Sequence, residues 1–129
     1  EHDFAVACLL NLNVGLLISV ASINWKIARL FYLAGIEGRN QDTNKYIAEL
    51  NDILQALFKI VDGQGHIDGV YDKMFSKIAD CQFPLRLLPP YSYADDKSFA
   101  AFVKYINETH PTWGNAKFQE QQAVNICTN

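Results

Sequence analysis

Apolar and polar positions are spread unevenly along this chain. From Phe4 to Trp25 no side chain is charged, and a run of that length meets the requirement of about 20 residues for a membrane-spanning helix. Placed at about 100° per residue, however, Asn11, Gly15, Ser19, Ser22, Lys26 and Arg29 fall within about 80° of one another. A helix surrounded by lipid has no use for such a polar stripe. The pattern therefore predicts a long, mostly buried N-terminal helix of a soluble protein, running from about Asp3 to Ala34, and argues against membrane insertion. At 1.5 Å per residue such a helix would be about 45 Å long, and Gly15 is the place for it to bend.

Beyond Ala34 the pattern changes to shorter amphipathic helices. Gly35 and Gly38, followed by Arg39-Asn40-Gln41-Asp42, predict a helix stop, a loop and a new N-cap at Asp42 or Thr43. Ile47, Leu50, Leu54, Leu57 and Val61 then recur at alternating spacings of three and four, with Tyr46, Ile53 and Ile60 widening the face. Lys45, Glu49, Asp52 and Lys59 stay outside it, and Asp62-Gly63-Gln64-Gly65 ends this second helix. Ile67, Val70, Tyr71, Met74, Phe75 and Ile78 predict a third, reaching about Cys81. Phe83-Pro84-Leu85-Arg86-Leu87-Leu88-Pro89-Pro90 cannot be helical throughout, since each proline lacks a donor and restricts the residue before it. It is expected to cross the bundle as an extended strap. Ser92, with Asp95 three residues on, predicts the cap of a fourth helix whose inner face is Phe99, Phe102, Val103 and Ile106. His110-Pro111 ends it, and a weaker fifth segment runs over 115–127 with Ala116, Ala123, Val124 and Ile126 inward.

These elements sum to an all-α fold: a compact bundle of four to five helices with a Pro-rich strap between the third and fourth. A chain of 129 residues without repeat or linker makes one domain, residues 1–129. Half the residues are apolar, with eight Phe and six Tyr, so the chain has ample material for a core. A net charge of −3 argues against a nucleic-acid partner, which needs clustered Lys and Arg.

The three cysteines, Cys8, Cys81 and Cys127, lack the close spacing of zinc or redox motifs. In a bundle whose helices alternate in direction, Cys81 and Cys127 come to one end and Cys8 to the other. A Cys81–Cys127 disulfide is expected, leaving Cys8 reduced or used between chains; a homodimer through Cys8 or an apolar face fits the same pattern. Asn107-Glu108-Thr109 is an N-glycosylation sequon, and the chain begins with Glu1 rather than Met. Both fit a mature, secreted protein glycosylated at Asn107.

Motifs that would name a chemistry are missing. His2, His66 and His110 are not spaced to hold a metal on a helix face, and no nucleophile elbow, phosphate-binding glycine loop or carboxylate pair in apolar sequence is present. The expected activity is binding rather than catalysis, with no cofactor indicated. On the predicted first helix, Asn13 and Asn24 are eleven residues apart, nearly one azimuth, and on the side away from the polar stripe. Two inward amides need partners, and a ligand's polar end could supply them. Trp25, Phe31, Phe58, Phe75 and Phe102 would form the walls of such a site. The sequence thus predicts a secreted helical protein that holds a small hydrophobic ligand (a lipid, pigment or semiochemical) in an aromatic-lined interior. The alternative is a secreted protein-interaction module, a cytokine-like or effector helical bundle whose surface binds another protein, without a small-molecule ligand.

Overall fold

The computed structural model describes residues 2–9, 15, 18–61 and 69–114. Their elements are α1 (His2–Leu9), a 3₁₀ turn (Ser19–Ser22), α2 (Trp25–Ile36), α3 (Asn40–Ile60), α4 (Val70–Ala79) and α5 (Asp96–Thr109). The chain is mostly helical, as its periodicity predicts, with five α-helices among the described residues. Helix α3 stands at the centre: α1, α2 and α5 all pack on it, while the 3₁₀ turn fills the space between α2 and α4.

The long first helix is not formed. Ile18 (φ −145°, ψ 114°) and Asn24 (φ −151°, ψ 90°) are both extended, so the uncharged run is divided into α1, the 3₁₀ turn and the start of α2. At the second of these breaks the physical reason lies in Asn24. Its side-chain oxygen accepts hydrogen bonds from the backbone N–H groups of Lys26 (3.2 Å) and Ile27 (3.4 Å), satisfying donors that a helix start leaves without partners. Asparagine competes in this way with the helix before it. Among the described residues of the run, Phe4, Val20 and Ile23 still reach the core, whereas Val6 and Trp25 are exposed.

Helix α2 ends in a Schellman motif. Gly38 takes φ 69°, Arg39 N–H donates to Ala34 O (2.8 Å) and Gly38 N–H to Gly35 O (3.1 Å). Chain reversal is so tight that α3 starts at Asn40, ahead of the expected caps at Asp42 and Thr43. Asp42 instead joins Glu37 in gripping the Arg39 guanidinium, and the Thr43 hydroxyl donates back to Arg39 O at 3.0 Å. The Arg39 pKa is raised, first by its hydrogen bond to Glu37 and then by that to Asp42.

The inner faces of α3, α4 and α5 meet in one core of Leu50, Ile53, Leu57, Met74, Phe75, Phe102 and their neighbours. Between α4 and α5 the chain is irregular. The Lys77 ammonium donates to the carbonyls of Cys81 (3.0 Å) and Phe83 (3.1 Å), which fixes the way out of α4. Leu85 and Ala94 turn into the core, whereas Leu88, Tyr91 and Tyr93 remain exposed around the cis Pro89–Pro90 peptide. The cap of α5 is Asp95, not Ser92: its carboxylate accepts from Ser98 N–H at 2.7 Å, which places the cap three residues later than expected.

Candidate functional site

Of the seven residues expected around a ligand, six lie among the described residues, and of these Phe75 and Phe102 pack ring against ring, with centroids 5.9 Å apart. Phe31 is also fully buried, but its neighbours are Phe4 (5.3 Å, edge-to-face) and Tyr46 (6.0 Å). Trp25 and Phe58 are not interior walls. They are 62% and 42% exposed respectively, because α2 and α3 turn other residues inward. Asn24 is not an inward amide on a helix face either: it caps α2, and its NH₂ donates to Thr112 O at 3.2 Å. Asn13 lies outside the described residues.

Cys8 and Cys81 are both half-buried, and Cys127, the expected disulfide partner of Cys81, lies outside the described residues. Asn107 is half-buried in the last turn of α5, where it lines an open depression of about 300 Å³ with Ala100, Val103, Lys104 and Glu108.

One polar cluster escaped the sequence reading. Asp52 of α3 accepts from the Tyr105 hydroxyl and pairs with His110 Nε2 at 2.8 Å; one turn earlier, Glu49 accepts from Trp113 Nε1 at 2.9 Å. Together these bonds tie the end of α5 and the turn after it to α3. Trp113 is fully buried, so its indole N–H needs the Glu49 carboxylate. Burial and then the Asp52 carboxylate push the Tyr105 phenol up to about 12. The Asp52 carboxyl in turn is held below its ordinary value, chiefly by the Tyr105 hydroxyl and then by His110. No periodic signal marks Tyr105, His110 and Trp113 as a group. The available sign was that Tyr105, beside the apolar face of the fourth helix, and His110 and Trp113 just beyond its end can all hydrogen-bond.

A second feature is the outer side of α2. Ala28, Phe31, Ala34 and Gly35 face the core, and the opposite 140° or so of azimuth carries, in angular order, Trp25, Ile36, Arg29, Leu33, Lys26 and Leu30. Trp25, Ile36 and Leu30 are 62%, 52% and 47% exposed, and Leu33 is half-buried. A globular surface helix normally sets charged and polar residues there. Lys26 and Arg29 are exposed and enter no ion pair among the described residues.

Among the described residues no group of three His, Cys, Asp or Glu side chains is placed to hold a metal, and no helix is long and apolar enough to cross a membrane. No family model, curated protein or solved structure matches the chain.

Proposed function

We propose that the protein is a secreted helical binding module whose working surface is the outer side of α2, the interaction-module reading of the sequence rather than the interior carrier. The observation that carries this is the exposure of Trp25, Leu30 and Ile36 on a helix whose other side is already buried. Exposed large apolar side chains gathered on one side of a helix are the kind of surface that contact sites use. An interior carrier draws less support, because Phe31, Phe75 and Phe102 are spent on packing against their neighbours. Secretion draws its support from the sequon at Asn107, and the same reading includes a glycan on that residue and a Cys81–Cys127 disulfide.

The test is site-specific photo-cross-linking. A benzophenone amino acid is placed at position 30 on α2 or at position 101 on the exposed side of α5, and the protein is irradiated in contact with intact cells of the producing organism. Adducts from position 30 and none from 101 are expected. Equal adducts from both positions, or none from 30, would overturn the reading. A small apolar molecule released on denaturing the natural protein would restore the carrier.

A further inference from the structure

We infer that the outer side of α2 docks on an anionic lipid bilayer, with Trp25, Leu30 and Ile36 entering the headgroup region and Lys26 and Arg29 meeting the anionic groups. This rests on the proposed working surface and names its partner.

Three observations select that partner. The first is charge. From Ile18 to Ile36 the only ionised side chains are Lys26 and Arg29, and neither has an ion-pair partner among the described residues. The first acid beyond them, Glu37, is already held by Arg39 at 2.9 Å. Two cations without an ion-pair partner among the described residues, set among exposed apolar groups, make this a side of the molecule that attracts negative surfaces although the chain's net charge is −3.

The second is the arrangement of side chains. Arg29 lies between Ile36 and Leu33 in azimuth, and Lys26 between Leu33 and Leu30, so the cations are interleaved with apolar groups rather than set at a rim. Long basic side chains can lie along apolar surface and raise their charged ends to the headgroups while the apolar groups go deeper. Trp25, the most exposed large aromatic, is the residue type enriched where an apolar body meets a wet interface.

The third is size. Twelve residues of helix offer a strip about 18 Å long and about 10 Å wide. That is far below the area of about 800 Å² per partner found in stable protein interfaces, so a second copy of this chain would be held poorly. A bilayer sets no such minimum, because binding to it grows with the apolar area buried and with attraction to anionic lipids.

Vesicles of phosphatidylcholine alone and of phosphatidylcholine with 30% phosphatidylserine provide the test, read by co-sedimentation and tryptophan emission. Trp113 is fully buried and Trp25 is not, so a change of emission on binding reports Trp25. With the anionic vesicles, a blue shift and protection from acrylamide are expected, weakening in 0.5 M salt, with little binding to the neutral ones. Lys26→Gln with Arg29→Gln should lower partitioning roughly 30-fold, about fivefold per cation, while Lys104→Gln on α5 leaves it unchanged. Trp25→Ala should abolish the blue shift with the helical circular dichroism intact.

Absence of binding to either vesicle, equal binding to both, or binding insensitive to salt would overturn the lipid assignment. Should the cross-linker at position 30 then capture a protein, the working surface stands and only its partner is wrong. A dimer in sedimentation velocity that Leu30→Ser dissociates would likewise replace the bilayer by a second copy.

Discussion

Helices α2 and α5 each bury one side: Ala28, Phe31, Ala34 and Gly35 in the first, Phe99, Phe102, Val103 and Ile106 in the second. Their other sides differ. The outside of α5 carries Asp96, Lys97, Ala100, Ala101, Lys104 and Glu108, with Lys104 and Glu108 at 3.9 Å, and is the water-facing side that amphipathic patterning leads one to expect. That of α2 carries Trp25, Leu30, Leu33 and Ile36 around Lys26 and Arg29, which enter no ion pair among the described residues. Inner faces are dictated by the core they must fill. Outer faces are left open by folding, so an apolar one calls for a cause beyond the fold.

The largest effect expected is on the inner side. Phe102→Ala should cost about 3–5 kcal/mol in urea unfolding, the usual range for emptying a buried phenylalanine site. Leu30→Ser on the outer side of α2 should change stability by no more than about 0.5 kcal/mol. A cost near that of the core variant would mean that the chain itself covers the α2 face, and the comparison would break.

The two helices also differ in how their ends are held. Asn24→Ala removes the cap of α2 and should cost about 1 kcal/mol, independent of pH because the amide does not titrate. The cap of α5 is a carboxylate whose pKa is lowered, mainly by the Ser98 N–H, and Asp52 at the other end is lowered as well. A depressed carboxyl stabilises above its unfolded pKa and loses that contribution as pH falls through the folded value. Acid should therefore loosen both ends of α5 before the start of α2, seen as earlier chemical-shift changes in α5 backbone amides on acid titration.

At alkaline pH the sign reverses for Tyr105. Its raised pKa favours the neutral phenol in the folded state, so the contribution is whole below its ordinary value of 10.0 and lost as pH rises towards about 12. In an ultraviolet titration one tyrosine should ionise late. Asp52→Asn should move it earlier without restoring the ordinary value, since burial is the larger cause.

The smallest effect concerns solubility. Trp25→Ser with Leu30→Ser should raise the ammonium sulfate concentration needed for precipitation, whereas Ala101→Ser should leave it unchanged.

Periodicity made the second half of the fold legible. Leu50, Leu57 and Val61 are buried as their spacing predicts, and so are all four inner residues of α5. It failed in the uncharged run from Phe4 to Trp25, where Asn11, Gly15, Ser19 and Ser22 share one narrow stripe of azimuth and so suggest a continuous helix, while the chain is extended at Ile18 and Asn24. At Asn24 the break was decided by one polar side chain accepting from the backbone of the residues just after it. Asn24 immediately before Trp25 was itself a legible N-cap signal, masked by the expectation of continuity. The cluster around Asp52 was illegible for another reason: Tyr105, His110 and Trp113 approach α3 across more than fifty positions of sequence, and pairing at that separation leaves no local period.

The two halves of the Asn24 amide act over different ranges. Its oxygen binds Lys26 and Ile27, neighbours already synthesised within three residues, while its nitrogen waits for Thr112, 88 positions later. As the chain leaves the ribosome, α2 can thus start early but cannot be locked to the α5 end until nearly all the described chain has emerged. Closing so distant a contact belongs to the late, slow part of folding, when loop entropy has been overcome by the core. A nascent chain stopped short of Thr112 would have its helices and lack the clasp between the start of α2 and the turn after α5.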